Sequence, residues 1–480
     1  MRNSPAVDRY GSGPFAHPMN RRRFLGGLGL AGAALFSAEA LAACVQSATG
    51  QPTSSHLSAP PKGTQGGGPV VMRGWNYKVD VVQSDLKRFS DYYQENIDYQ
   101  TVTGDFNSII TTMNITRQPL SFTYANPDTL ARWSKSGWLH DFEAWWDVDK
   151  AKADMYPGWR DIATINGKLY GLPYFQSVRG TIVTNEVILG KVGINTSNYP
   201  TTYAELYDQC YQIKKAGAAK VPFLPHWFNA HYGLPWAFLF ECQNQGAVVF
   251  DSKGTPVFDS HTYAILDQWR KLIVDGIAPP EVLTMTESDF IAAFASGAYA
   301  YSPQQTYDSK TFNDPSTSKI AGKSKYVKVV SQPWGGIDTG IYALAARPGD
   351  DDKSIARAMR LAGYFGYKDW EGQLYVLKTW AISAALNSGY KQILEDPDVL
   401  AAYKQWMPDY DYMFPAMNSL LEAVRSPAVW HRYFYDEWES QALTTLSQAL
   451  VGDKPTKQAL DELKTLAVQL VDRYDKIDPS

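Results

Sequence analysis

The sequence predicts an α/β protein of two lobes, and three observations carry that expectation. Between Val70 and Tyr124 the apolar residues pass twice from strand-like runs to helical spacing, giving strand–helix–strand–helix–strand. The stretch from Val70 to Ser480 is too long for one ordinary core. From Asp396 onward the pattern is mostly helical, so the sheets belong to the earlier part of the chain.

Ahead of this body, Asn20-Arg21-Arg22-Arg23-Phe24-Leu25 precedes an uncharged run to Phe36, and Leu41-Ala42-Ala43-Cys44 follows. A basic head, a short apolar run and small residues before a cut site make a secretory signal over residues 1–43, too short to span a bilayer. Paired arginines before Phe-Leu resemble the twin-arginine export motif. Leu-Ala-Ala-Cys resembles the bacterial lipobox, in which Cys44 becomes the N-terminus and takes the lipid. At about 0.8 kcal/mol per buried CH₂, two or three acyl chains anchor a protein stably. The expected location is the outer face of the cell membrane, on the extracellular or periplasmic side. Met1 and Met19 both stand as starts of translation. Residues 44–69 are rich in Ser, Thr, Gln, Gly and Pro, poor in large apolar side chains, and expected to form a flexible tether.

Val70 to Trp75 reads as a strand ending in a loop at Trp75-Asn76. Val79, Val82, Leu86, Phe89 and Tyr93 then recur at helical spacing. Ile97 to Val102 is a second strand, Asp105 a helix N-cap ahead of Ile109 and Met113, and Leu120 to Tyr124 a third strand. That order implies a parallel sheet with right-handed crossovers. Further on, an apolar strand runs from Gly180 to Thr184, and Thr202 and Glu205 have capping-box spacing for a helix that Gly217 can end. Val221 to Leu224 reads as a short strand running into Pro225-His226-Trp227. Phe290 to Gly297 and Ala298 to Tyr301 read as helix, turn and strand, and Gly335 to Leu344 as a strand entered through glycines. Leu460, Leu463, Ala467, Leu470 and Tyr474 share one face of a closing helix.

Composition narrows the function. Without residues 1–43 the charge is about −7, with no basic stripe, which argues against nucleic acid. Beyond Cys44 only Cys210 and Cys242 remain, either one disulfide or two buried small side chains. The seven His show no metal-ligand spacing, and neither a metal nor a cofactor is expected. Aromatics reach 14%, with 15 Trp and 30 Tyr. Their flat apolar faces with polar edges match sugar rings, although large cores also bury many aromatics.

Four stretches in a shared order resemble the family 1 extracellular solute-binding proteins, the group that includes maltose-binding and other oligosaccharide-binding proteins. Leu130 to Phe142 resembles the helix and "G-x-L-x-D-L" turn after the third strand. Gly167 through Pro173 to Asn185 resembles "G-K-x-Y-G-L-P" and its crossover strand, and Tyr199 to Leu206 resembles "P-x-T-W-x-E-L". Phe294 to Tyr301 resembles "F-x-x-G-x-A-A-M", with Ala356 to Leu374 like the "A-x-x-F-x-x-Y" and "G-Q" stretch downstream. The resemblance covers about residues 70 to 475. It implies the periplasmic-binding-protein type II fold, two α/β lobes joined by crossover hinge strands, with ligand in the cleft between them. The lobes implied are residues 70–178 plus about 340–380, and 179–339 plus about 385–480. It further implies a monomer that closes on a carbohydrate and is recognised by the membrane permease of an ABC importer.

The resemblance and the strand ends together nominate ligand residues. Trp75 and Asn76 follow the first strand, and Trp75 either meets ligand or packs under the lobe. Tyr124, Asn126 and Asp128 follow the third, where the family supplies an aromatic and a carboxylate. Asp128 either accepts ligand hydroxyls or caps the helix beginning near Thr129. Trp227 falls where the family places a stacking aromatic, beside His226, and Gln304 in its ligand loop. Trp334, Gly335, Gly336 and Asp338 open the second crossover, the glycines admitting either ligand or unusual hinge dihedrals. Trp380 lies near the third crossing and Trp430 in the C-terminal helices, while Gln176, Ser177 and Arg179 line the first crossover.

An enzyme is the remote alternative. A glycoside hydrolase needs two carboxylates at a set separation, and nothing marks a pair among Asp128, Glu241 and Asp338. No Gly-x-Ser-x-Gly, His-Glu-x-x-His or phosphate loop occurs. Nearer alternatives keep the fold and change the ligand to a peptide or polyamine, or make the protein a ligand sensor.

Overall fold

The computed structural model describes residues 56–63, 67–328, 334–474 and 476–479, so the signal segment and Cys44 lie outside the described residues. Strand β1 (Val70–Trp75) lies between β2 (Ile97–Val102) and β3 (Phe122–Ala125), parallel to both. The first two strands have the predicted bounds, and the third is displaced by one or two residues at each end. The linking helices form for the expected reasons. Val79–Tyr93 buries Val82, Leu86 and Phe89 on one face, and Phe106–Ile115 is capped by Asp105, which accepts from the Ser108 backbone N–H. The short strand β4 (Leu139–His140) closes one edge, and β5 (Thr164–Ile165) with β6 (Lys168–Leu169) makes a separate hairpin.

The chain then leaves this sheet. Strand β7 (Leu172–Pro173) still belongs to it, whereas β8 (Ser177–Thr184) is the centre of a second sheet between β9 (Tyr301–Gln305) and β10 (Gly336–Asp338). Strand β11 (Ile341–Ala345) returns to the first sheet, antiparallel to β3, β4 and β7. The single strand expected from Gly335 to Leu344 is thus two, because the chain crosses between lobes at Thr339. The expected strand at Val221–Leu224 is reduced to one bridge, Phe223 beside Tyr301, since Pro222 has no N–H for a ladder.

Two strand crossings, β7 to β8 and β10 to β11, therefore join two α/β lobes, and the segment at Asn387 is tied to the first of them. The Gln176 N–H donates to Asn387 O at 2.7 Å, the Thr339 hydroxyl donates to Phe175 O, and Tyr403 donates to the Asn387 side chain at 2.6 Å. Glycine serves two distinct needs here. Gly180 sits at a bulge in β8 with φ +90°, a conformation that costs other residues strain. At Gly336 the need is space, because a Cβ there would stand 2.0 Å from the Phe240 ring.

The helix Asp352–Gly366 covers the first sheet, packing on β1, β3, β7 and β11. The final helices, Tyr435–Val451 and Thr456–Tyr474, pack on each other and on Ser260–Val274 in the second lobe. Cys210 and Cys242 are both buried free thiols, which decides against a disulfide.

A flexible tether over all of 44–69 is not what the described part of that segment shows. Leu57 N–H donates to Ala144 O at 2.6 Å, and Gly63 N–H to Tyr93 O at 2.6 Å. Arg360 donates to the Pro60 and Pro61 carbonyls at 3.0 and 2.7 Å and, with Arg357, holds the buried Glu95 carboxylate. Arg357 also donates to Gly68 O at 2.8 Å. Residues 56–63 are a strap held by backbone N–H groups and carbonyls, with Leu57 packed against the core.

Candidate ligand site between the lobes

Arg179 is the hub of the crossing region. It stands on β8 with its side chain 4% exposed, and contacts Glu287 at 3.2 Å and Asp338 at 3.1 Å. Its guanidinium lies 4.9 Å from the Tyr232 ring centroid and 5.7 Å from that of Trp236, within cation–π range. Burial pushes the Asp338 and Glu287 carboxyls up, and Arg179 opposes that rise in both. Glu287 opens the helix Glu287–Ala295 after a Thr286–Asp289 capping box, where the helix dipole favours a carboxylate. His226 Nε2 is 3.2 Å from Arg179 and its Nδ1 is 3.1 Å from Pro303 O. Burial and then the Arg179 charge hold His226 far below its usual pKa, so we assign the neutral tautomer that donates from Nδ1 and accepts at Nε2.

The first lobe faces this hub with aromatic rings. Trp380 is fully buried, 5.1 Å edge-on to Tyr174, and stacks at 6.1 Å and 15° on Tyr77. Burial, then Asp308 and Glu287 of the other lobe, push the Tyr77 hydroxyl to about 12, so this ring faces the acidic side of the hub.

Asn126 is the N-cap of helix Pro127–Lys135, which leaves Asp128 in the first turn and rules out the cap at Thr129. The Asp128 Oδ2 is 3.3 Å from His231 Nε2, and Glu439 completes the group while accepting the Trp236 indole N–H at 2.5 Å. Burial, followed by the Asp128 charge, pushes the Glu439 carboxyl well above the carboxylate range. Nearby, Arg132 pairs with Asp436, and Lys310 donates to Ile382 O and Ser383 O at 3.1 and 2.9 Å.

Of the nominated residues, Asp338 pairs with Arg179, Asp128 meets His231 of the other lobe, Trp380 stacks on Tyr77, Asn126 donates to Asn107, and Asn76 is exposed. Six others are packed inside the lobes. Trp75, 4% exposed, lies 4.9 Å edge-on to Tyr124, itself 1% exposed. Trp227 packs on Trp269 at 4.6 Å, and Trp334 lies edge-on to Tyr203, whose hydroxyl donates to Trp334 O at 2.9 Å. Gly336 is covered by Phe240. Gln304 has no exposed surface and donates to Ser302 Oγ at 2.7 Å. Trp430 likewise packs on Trp236 at 4.5 Å. Sequence reasoning missed Tyr77, His231, Tyr232, Trp236, Glu287 and Glu439. Tyr77 adjoins the nominated Asn76, and Glu287 sits inside a readable capping box; Glu439 carries no local signal at all.

The sequence profile of bacterial extracellular solute-binding proteins matches residues 77–359. A comparison with curated proteins finds no match. Among solved structures, maltose-bound MalE3 of T. maritima is 21% identical, with 84% of this chain and 99% of that one covered and a TM-score of 0.68. An ABC-transporter solute-binding protein of Agrobacterium radiobacter with bound ribitol is 17% identical, covering 86% of this chain and all of the other, 100%, at TM-score 0.69. The GacH receptor of Streptomyces glaucescens, solved unliganded and with acarbose, is 16% identical, covers 84% and 98%, and scores 0.66.

Proposed function

The chain belongs to the bacterial extracellular solute-binding proteins, and on that premise we propose that it captures a carbohydrate between its lobes and hands it to the permease of an ABC importer. The observation that carries the reading is the meeting of flat rings and charged hydrogen-bonding groups at the crossings. Trp380 and Tyr77 come from the first lobe, and Arg179, Glu287 and Asp338 from the second. Sugars present apolar C–H faces to the first kind of group and hydroxyls to the second. Asn76, Asn126 and Asp128 add polar groups from the first lobe. MalE3, the ribitol-bound protein and the GacH receptor, which share the fold, carry bound sugars or sugar-like ligands by their descriptions, which supports the same class here.

Capture needs no covalent step. The ligand has to favour the closed arrangement over the open one, because equal affinity for both signals nothing to a permease. Export directed by residues 1–43, their removal with lipidation of Cys44, and a monomeric state complete the proposal.

The test is a thermal-shift screen of the purified chain over mono- and oligosaccharides, polyols, peptides and polyamines. A ligand of the native state raises the melting temperature with concentration. Sugars or polyols are expected to do so. A flat response to them beside a shift with peptides or polyamines overturns the carbohydrate reading.

A further inference from the structure

Asp128, His231 and Glu439 come from three distant segments and meet where helix Pro127–Lys135 of the first lobe touches the second. One ligand atom from each lies within 4.8 Å of the others. The 3.3 Å from Asp128 Oδ2 to His231 Nε2 equals a tetrahedron edge, about 3.3 Å for bonds near 2.0 Å. Asp128 and Glu439 are each 2% exposed. Asp128 Oδ1 accepts no hydrogen bond, and His231 Nε2 is a buried atom without a hydrogen-bond partner. The nearest basic side chain on the same helix, Arg132, is already engaged by Asp436. Two carboxyl groups and an imidazole thus meet in a buried place, and among the described residues no lysine or arginine forms a salt bridge with any of the three.

We propose that Asp128, His231 and Glu439 bind one divalent transition-metal ion of the zinc class across the closed lobes. Three nitrogen and oxygen ligands with a fourth position left open suit zinc, whereas magnesium and calcium favour all-oxygen shells. The Trp236 indole fixes Glu439 through Oε1, a second-layer bond of the kind that orients metal ligands. Asp128 belongs to one lobe and the other two ligands to the second, so the complete site exists only when the lobes are together. The ion therefore stabilises the closed form, and by linkage zinc and the transported ligand raise each other's affinity.

The inference rests on the two-lobed arrangement and not on the identity of the ligand, so it is tested with zinc alone. The full chain, stripped with chelator, is titrated with Zn²⁺ by calorimetry near neutral pH and melted with and without the ion. One ion per chain, micromolar or tighter, with a raised melting temperature is expected. His231→Ala and Glu439→Gln, confirmed folded by circular dichroism, are each expected to weaken zinc at least tenfold. Should Glu439→Gln not fold, His231→Ala carries the test alone. No zinc binding in the wild-type chain overturns the proposal, as does binding that neither substitution weakens. A Glu439→Gln chain that gains stability while the wild type ignores zinc also overturns it, and assigns a shared proton to the two carboxyls. A failed sugar screen leaves these outcomes untouched.

Discussion

Replacing Arg179 by alanine removes one guanidinium and strands two carboxylates. Glu287 and Asp338 are 8% and 6% exposed and lie 3.2 and 3.1 Å from it. Breaking a buried pair in this way costs about 3–5 kcal/mol, and loss of the Tyr232 and Trp236 ring contacts adds up to about 1. The deficit should depend on pH, with a sign fixed by linkage. Burial already raises both folded-state carboxyl pKa values while Arg179 lowers them, so its removal raises them further. A group with a raised folded pKa stabilises fully below its unfolded pKa, about 4, and loses that contribution as pH rises through the folded value. The deficit of Arg179→Ala is therefore smaller at pH 5 than at pH 8, and each tenfold gain in a carboxyl's proton affinity widens the gap by about 1.4 kcal/mol. Urea unfolding followed by tryptophan fluorescence at both pH values measures it, with Arg179→Met as a bulkier control. A deficit below about 1 kcal/mol, or one equal at the two pH values, would refute the hub.

Three further outcomes are expected. Trp380→Ala removes the ring stacked on Tyr77 and should weaken carbohydrate binding about tenfold or more by calorimetry, from a stacking loss of about 1.5 kcal/mol; an unchanged Kd removes Trp380 from the site. Gly336→Ala forces a Cβ into Phe240 and should cost about 1–3 kcal/mol, partly recovered by Phe240→Leu; a neutral Gly336→Ala contradicts the packing. Burial lifts the Glu241 carboxyl to about 7, so stability should fall by about 3 kcal/mol as pH rises from the unfolded value to beyond the folded one. Glu241→Gln keeps an acceptor for Tyr207 and Gln245 and should flatten that slope, visible in melts from pH 4.5 to 8; parallel slopes would show Glu241 to be ionised throughout.

Local periodicity made the first sheet legible. β1 and β2 begin and end where apolar alternation does, and Asp105 caps the helix it was read to cap. Where tertiary contacts decide, the sequence is silent. A tryptophan reads the same in the sequence whichever ring it meets, and Trp227 and Trp380 are both fully buried; only the partner tells them apart, Trp269 for the first and Tyr77 for the second. The passage from β10 to β11 leaves no mark because both strands are uniformly buried. Spacing rules for metal ligands are local, and they cannot join Asp128 to Glu439 across most of the chain. Composition misread residues 56–63, since Arg360 grips their backbone at Pro60 and Pro61 and not their side chains.

That grip shortens the leash. On the proposed lipidation of Cys44, the first described point at which the chain is fixed to the first lobe is Leu57, whose N–H donates to Ala144 O. At about 3.5 Å per residue at full extension, the strap cannot then stand more than roughly 45 Å from the bilayer. On that proposal the first lobe is the moored one and the second the one left to move. The proposed delivery to a permease then takes place within that reach, so such a mooring narrows the volume through which a loaded protein must search for its port.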